Sequence, residues 1–303
     1  MSKILGSYVN GNTIVAMYDD GTKVRFVKDG EKPAPEFPES IDLKITNRCN
    51  LGCPMCAESS TPDGAHADLN SRLFYSLHPY TELAIGGGNP MEHPSLIDLL
   101  YRMKDRNVLC NLTVNADHFM RNAYILEYFA SSKLIHGLGV SIPSRIPVGF
   151  LYRINDFPNA VIHTIAGYTP MEVYDRLANR DLNLLILGYK SKGRGETFAK
   201  ADNKMSQLIL KTSDRVREFV KSHEFKAVAF DNLAVRQLGV KDVLTEEEYN
   251  KLYMGDDGEY TMYIDLVQQK FGKSSSHPLH PINSSSIDDL FSQVHKEEKY
   301  LWQ

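Results

Sequence analysis

The chain lacks both a basic excess and the composition of a disordered or fibrous protein. Its 303 residues include 34 lysines and arginines against 38 acids, which gives a net charge of −4. A dedicated polyanion binder usually has a clear basic excess, so the composition gives no strong nucleic-acid signal. With 20 glycines, 14 prolines and 42% hydrophobic residues, a collagen-like or disordered chain is also excluded.

Long hydrophobic runs are missing as well. The longest apolar stretches, such as Leu182–Leu187, are far shorter than the ~18 residues needed to cross a bilayer. The first residues, Met1 to Lys3, do not lead into the apolar segment of a signal peptide. The sequence therefore favours a cytoplasmic protein without a membrane partner.

Cysteine is scarce, and its placement is uneven. Four cysteines are too few for a disulfide scaffold in a chain of this length. Three of them, Cys49, Cys53 and Cys56, lie within eight residues, and this clustering indicates a shared chemical role. The fourth, Cys110, stands alone in a predicted strand and is interpreted as a small buried hydrophobic residue rather than a hydrogen-atom donor.

Three parts are predicted along the chain. Residues 1–38 are interpreted as an N-terminal β-hairpin extension that ends in a Pro-rich linker. Its strand-like runs Ile14–Tyr18 and Lys23–Val27 flank an Asp-Asp-Gly-Thr turn. Residues 39–270 are predicted to form the main α/β domain, and residues 271–303 a C-terminal loop and helix.

Strand-like and helical patterns alternate from Ile41 onward, which predicts an α/β fold with a parallel sheet, either open or closed into a barrel. Strands are predicted over Ile41–Thr46, Glu82–Gly86, Leu109–Val114, Gly137–Ser141, Val161–Gly167, Leu182–Tyr189, Ala227–Asp231 and Thr261–Val267. Helices are predicted from Leu96, after capping boxes at Thr169 and Thr245, and over Asn203–His223 and Ile287–Tyr300. Catalytic groups are then expected just after the C-terminal ends of the strands.

The three clustered cysteines form a C-x-x-x-C-x-x-C motif just past the first strand of the predicted barrel. Three thiolates at this spacing can share one metal centre. Structural zinc normally needs four protein ligands, and the nearest histidine is His66, outside the motif. A 4Fe–4S cluster also usually takes four thiolates, so three would leave one iron open to a substrate or cofactor. On these residues alone, a zinc site with a distant fourth ligand and reduced structural thiols both stay open.

The segment Lys44–Cys56 resembles the cluster loop of the radical S-adenosylmethionine (radical SAM) enzymes, and the resemblance extends over roughly residues 40–190. It implies a radical SAM-type parallel (β/α) barrel, with a six-strand core that two further strands extend towards eight. It also implies that Cys49, Cys53 and Cys56 hold a 4Fe–4S cluster whose open iron binds S-adenosylmethionine. In this family, an electron from a donor such as flavodoxin or ferredoxin cleaves that cofactor to a 5′-deoxyadenosyl radical, which abstracts hydrogen from the substrate.

The resemblance also implies cofactor contacts at one apolar residue and one glycine run. The family usually has an aromatic residue just before the third cysteine, near the adenine; Met55 stands there, apolar and polarizable enough to pack on a purine. A Gly-Gly-Glu-type motif that holds the cofactor's amino group is matched by Gly86, Gly87 and Gly88, but Asn89 follows where an acid is expected. Glycines let a ligand approach the backbone closely. A simple turn at the end of the strand is the alternative.

Four polar residues at predicted strand ends are further candidate contacts. Asn115 and Ser141 end the third and fourth strands, where the family often contacts the ribose or carboxylate of the cofactor. Lys190 and Arg194 lie in a glycine loop after the sixth strand and are candidates to pair with the methionine carboxylate or an anionic substrate group. Ordinary capping for the first pair and a solvated basic turn for the second stay open. The phosphate-loop pattern G-x-x-x-x-G-K-[ST] is absent.

The sequence thus predicts an enzyme whose substrate enters the barrel lumen, with no catalytic residue assigned. No cysteine cluster follows Cys110, so the auxiliary-cluster domain of many peptide-modifying members of the family is not expected. The N-terminal hairpins and the loop Lys190–Gly195 are the expected covers of the barrel mouth. A free hairpin edge can receive an extended peptide, so a peptide or protein substrate is slightly favoured over a nucleoside-like small molecule. A non-enzymatic metal-binding module is the alternative of a different class.

Overall fold

The computed structural model describes residues 2–201 and 204–296, and the strands and helices below are those of these ranges. The strands are β1 (Ile4–Asn10), β2 (Thr13–Tyr18), β3 (Lys23–Phe26), β4 (Ser40–Thr46), β5 (Glu82–Gly87), β6 (Leu109–Asn115), β7 (Gly137–Ser141), β8 (Ala160–Ile165), β9 (Asn183–Leu187), β10 (Ala227–Phe230), β11 (Thr261–Asp265), β12 (Lys270–Gly272) and β13 (His280–Pro281). The α-helices are α1 (Leu96–Asp105), α2 (Ala116–Ser131), α3 (Phe150–Arg153), α4 (Met171–Leu177), α5 (Arg194–Ala201), α6 (Met205–Ser222), α7 (Asn232–Gln237), α8 (Glu246–Leu252) and α9 (Ile287–Lys296).

The larger sheet has the order β10-β9-β8-β7-β6-β5-β4-β11-β12-β13. Its strands β4 to β11 are all parallel, because helices or long connections carry the chain back between them. The predicted parallel α/β architecture is therefore confirmed. The last parallel strand, β11, pairs with the free edge of β4 rather than with β10. Within the described ranges no ladder joins β10 to β11, β12 or β13, so the expected closure of the barrel is not found.

This open sheet nevertheless curls around one cavity. Side chains from each of the eight parallel strands line a single space of about 640 Å³, which we call the lumen. The opposite faces of the strands are apolar and fully buried, as at Leu83, Ile85 and Leu112. The strands therefore alternate between an apolar buried face and a lumen face that carries polar side chains such as Asp42 and His163.

The N-terminal strands form a separate antiparallel sheet in the order β1-β2-β3. Ion pairs join it to the amino ends of the large sheet, with Lys23 Nζ 2.7 Å from Glu82 and Arg25 Nη2 2.8 Å from Glu39. Its turn at Asp20 lines the lumen from that same end. The cysteine loop follows the carboxyl end of β4, so the expectation that the hairpins cover the mouth of the barrel is wrong: they close its opposite end.

Most predicted strands agree with the structure within two residues at each end, but several details differ. The capping box at Thr245 is present, whereas Thr169 accepts a hydrogen bond from the Ile165 amide instead of capping α4. Strands β1, β12 and β13 were not predicted, because they are glycine-containing or very short and depend on pairing partners.

Parts of two predicted helices, Asn203 and residues 297–300, lie outside the described residues. The division at residues 38 and 270 stays a prediction. None of the described helices is long and apolar enough to span a membrane.

Candidate functional site

The cysteine loop is held by backbone hydrogen bonds as it leaves β4 and doubles back. The Cys49 amide donates to the Thr61 carbonyl at 2.8 Å, and the Cys56 amide donates to the Cys53 carbonyl at 3.2 Å. Further along, the Asn47 amide donates to the Ala65 carbonyl at 2.8 Å. The loop is therefore an ordered turn around the three cysteines, at the end of the sheet where active sites of parallel α/β folds lie.

The three cysteine side chains are half-buried, whereas Cys110 is buried in β6. Loss of hydration raises the pKa of the Cys49 and Cys53 thiols, and repulsion from the neighbouring thiols raises it further. A bound cation would reverse this tendency, because it stabilises the thiolate form. Burial alone raises the pKa of Cys110 to about 12, which fits the small hydrophobic role predicted for it.

The glycine run contacts the cysteine loop directly. A β-carbon at Gly87 would lie 2.4 Å from the Thr46 carbonyl oxygen, and one at Gly88 would lie 2.2 Å from that of Arg48. These two glycines therefore let the loop backbone pack against the end of β5. Gly86 differs, because a β-carbon there would meet nothing within 4 Å. Both Gly86 and Gly87 line the lumen.

Asn89 is buried and makes local contacts. Its side-chain oxygen accepts from the Met91 amide, and its Nδ2 donates to Glu92 at 3.0 Å. Its backbone amide donates to the Arg48 carbonyl at 2.7 Å, next to Cys49. Glu92 in turn lies 3.4 Å from the Arg48 guanidinium. Asn89 thus joins the glycine run to the start of the cysteine loop; a contact of its amide with a cofactor stays a prediction.

Asn115 and Ser141 lie side by side at the ends of β6 and β7, where the pairing register places them opposite each other. The Asn115 side chain accepts from the Asp117 amide at 2.9 Å, so it caps α2. Asn115 also lines a small cavity of about 170 Å³, together with Cys53 and Tyr168. The structure therefore brings Asn115 to the cysteine loop.

Arg194 supports the cysteine loop from the segment that follows β9. Its Nε donates to the Cys53 carbonyl at 3.0 Å and its Nη1 to the Ser60 carbonyl at 2.9 Å. A β-carbon on Gly195 would lie 3.1 Å from the Met55 carbonyl oxygen, which shows how closely the two loops pack. Lys190 is directed elsewhere: it lines the lumen and donates to Ser275 Oγ at 2.8 Å.

Several supporting residues were not predicted from the sequence. Thr46 Oγ1 lies 2.9 Å from His66 Nδ1 and accepts from the Arg48 amide. The buried His118 of α2 lies 3.1 Å from the Asn50 side-chain oxygen. No short motif contains these pairs, because their partners are separated by many residues, so the sequence offered no signal for them.

Comparison with known proteins finds similarity in both sequence and structure. No protein-family profile matches the chain. A segment of 84 residues is 30% identical to the PqqA peptide cyclase of Gluconobacter oxydans (strain 621H). This segment is 26% of the chain, and it spans 24% of that protein, so the chain matches about a quarter of the relative's length.

Three crystal structures of Streptococcus suis SuiB share the fold. The structure bound to S-adenosylmethionine has a TM-score of 0.56 and 15% identity, covering 82% of this chain and 64% of that one. The structure bound to the precursor peptide SuiA has a TM-score of 0.61 and 11% identity, covering 98% of this chain and 89% of that one. SuiB alone has a TM-score of 0.60 and 12% identity, covering 98% of this chain and 88% of that one. SuiB and PqqA peptide cyclase are radical SAM enzymes, so the resemblance seen in the cysteine motif is confirmed.

Proposed function

We propose that this chain, which has the fold and the cysteine motif of the radical SAM enzymes, binds a 4Fe–4S cluster and S-adenosylmethionine and abstracts hydrogen from a peptide or protein. The observation that carries the proposal is the position of the cysteine loop. It lies at the carboxyl end of β4, above a lumen that all eight parallel strands line. A cluster held there would supply the electron that cleaves the cofactor to methionine and a 5′-deoxyadenosyl radical.

The cysteine loop fits such a cluster. Cys49, Cys53 and Cys56 are half-buried, and Cys56 lies close enough to the other two to help raise the pKa of the Cys49 and Cys53 thiols. In the described part of the chain, no three His, Cys, Asp or Glu side chains converge on one point in the way that a single metal ion requires. A cubane cluster takes each thiolate on a different iron and does not need that convergence. Three thiolates are therefore compatible with a cluster that keeps one iron open.

The residues that are candidates to hold S-adenosylmethionine lie around this loop or, like Lys190, line the lumen. The candidates are Met55, Gly86, Gly87, Gly88, Asn89, Asn115, Ser141, Lys190 and Arg194. Of these, Gly86 offers an open backbone to the lumen and Asn115 shares the small cavity with Cys53. Arg194 acts on the loop itself through two hydrogen bonds to its carbonyls. We assign Arg194 a positioning role and keep direct cofactor contacts for the open backbone at Gly86 and for Met55, Asn115 and Ser141.

Two comparisons support a peptide or protein substrate. SuiB has been solved with the precursor peptide SuiA, and the Gluconobacter relative is a peptide cyclase. The lumen volume of about 640 Å³ falls in the usual range for a bound small ligand, so it holds a few side chains rather than a folded domain. A low-potential donor such as flavodoxin or ferredoxin in the cytoplasm would supply the electron.

Deuterium transfer tests the substrate class. The reduced, reconstituted protein is given S-adenosylmethionine with either the macromolecular or the low-mass fraction of an extract from cells grown on deuterated medium. Peptide or protein chemistry predicts deuterium in 5′-deoxyadenosine from the macromolecular fraction. Transfer only from the low-mass fraction would assign a nucleoside-like or other small substrate instead. Failure to form 5′-deoxyadenosine under any condition would contradict the proposed enzyme activity.

A further inference from the structure

Asp42 is a carboxylate inside the lumen without a partner. It lies in the middle of β4, lines the lumen, and is solvated only through that space because protein surrounds it. Within the described ranges, no hydrogen bond or ion pair reaches its side chain. Lys44, two residues further along, differs, because its ammonium pairs with Glu58 at 2.5 Å and Asp265 at 3.1 Å. Its side chain is exposed to this space, so a ligand in the lumen can reach the carboxylate.

The strand register places a second unsatisfied acceptor at the same level of the lumen. Asp42 pairs in register with Ala84, which pairs with Asn111, which pairs with Gly137. The Asn111 side-chain oxygen is buried and has no hydrogen-bond donor. It lies two strands from Asp42, or roughly 10 Å. Ala84 is small and lines the lumen between them, so it leaves the Asp42 carboxylate open to a ligand, whereas the Asn111 oxygen packs beside Gly137 and is closed to solvent.

The charges that line the lumen favour a cation there. Four carboxylates face it against two lysines. The imidazole of His163, which also lines the lumen, adds no positive charge at neutral pH because burial lowers its pKa to about 4. Burial raises the pKa of Asp42, and the positive charge of Lys190 opposes that rise. A second cation bound at Asp42 would stabilise the ionised carboxylate further.

We propose that Asp42 anchors a positively charged group of the substrate, an alkylammonium or a guanidinium, inside the lumen. Asp42 is four residues before Thr46 at the end of β4, so it lies about 13 Å below the cysteine loop at ~3.3 Å per residue. The charged end of the substrate binds at this depth and its carbon chain extends towards the mouth. The inference rests on the proposed function and specifies its substrate class: a segment with a long side chain that ends in a positive charge.

Small probes of one length test this anchor directly. Binding of n-pentylammonium, 1-pentanol and pentanoate to the anaerobically reconstituted protein is measured by calorimetry and by the shift in melting temperature. We expect pentylammonium to bind best. Asp42→Asn keeps the size of the side chain and should weaken pentylammonium binding at least tenfold, a loss of ~1.4 kcal/mol. Ala84→Leu should weaken it as well, since it fills the space beside Asp42 but keeps the carboxylate.

The matched control is Asp20→Asn, which also removes a carboxylate from the lumen lining. Asp20 already has partners, because Ser2 Oγ and the Thr22 amide donate to it, so this variant should bind pentylammonium as the wild type does. Equal pentylammonium binding in Asp42→Asn, preference for pentanoate, or no binding to the wild type would each overturn the proposal. Cofactor cleavage in the same preparation is measured separately, so loss of the radical SAM activity is distinguished from failure of the cationic site.

Discussion

The hydrogen bonds from Arg194 to the cysteine loop can be tested by removing them. The side chain donates to the Cys53 and Ser60 carbonyls at 3.0 and 2.9 Å. Hydrogen bonds from a charged group contribute ~1.5–3 kcal/mol each, and the lower figure suits a half-buried side chain. Two such bonds give about 3 kcal/mol, so Arg194→Ala should increase the opening of the loop roughly 100-fold.

Hydrogen exchange measured by mass spectrometry reports this opening. Peptides that cover residues 47–61 of the iron-free protein should exchange much faster in Arg194→Ala, while peptides from β6 and β7 stay unchanged. Lys192→Ala is the control from the same segment, because its ammonium donates to the Ser275 carbonyl at 2.9 Å rather than to the cysteine loop. We expect it to leave exchange in the cysteine loop at the wild-type rate.

The sequence alone suggested a different role for Arg194, a direct contact with the cofactor or substrate. If that role is the main one, Arg194→Ala will keep normal loop exchange and normal iron content and will lose only affinity for S-adenosylmethionine. This result would refute the positioning role derived from the structure. Faster exchange together with lower iron incorporation would support it.

Three further outcomes follow from the site. Gly86→Val should fold normally and weaken S-adenosylmethionine binding. Gly87→Val should lower the melting temperature, because its β-carbon meets the Thr46 carbonyl and the backbone φ at this position is +115°. Equal melting temperatures of the two variants would contradict this difference. Iodoacetamide at pH 8 should label the three loop cysteines in the apoprotein and leave Cys110 unlabelled, since it is 2% exposed; mass spectrometry checks this. The pKa of His163 is about 4 in the folded protein and 6.5 in the unfolded chain, so the unfolded chain binds the proton more readily and a fall from pH 7 to 5 lowers the free energy of unfolding. His163→Gln should lose less stability than the wild type over that interval. An unchanged pH profile of stability would count against this assignment.

The parallel sheet and the position of the cysteine loop were predictable from the sequence for clear physical reasons. Short apolar runs such as Leu184–Leu187, separated by helical patterns, predict parallel strands, although the lumen-facing positions of other strands carry polar residues such as Asp42 and Asn111. The spacing of Cys49, Cys53 and Cys56 is local, so it is visible without a structure. The end of β4 was predicted at Thr46, directly before the loop, and the structure places it there.

The contacts that shape the site were not predictable, because they join distant residues. Arg194 and Cys53 are 141 positions apart, and no local pattern relates them. The N-terminal hairpins were recognised, but the end of the sheet that they close depends on ion pairs such as that of Lys23 with Glu82. The place of Asp42 in the lumen likewise becomes apparent only from the strand pairing, which sets it beside Ala84.

Mössbauer spectroscopy of the protein reconstituted with ⁵⁷Fe tests the central claim most directly. With three cysteine ligands, the account predicts about four irons per chain, of which roughly one quarter changes its signal when S-adenosylmethionine is added. Alanine at Cys49, Cys53 or Cys56 should abolish the cluster, and Cys110→Ala should retain it. Stoichiometric zinc with no cluster after anaerobic preparation, or a cluster whose four irons all ignore the cofactor, would contradict the account.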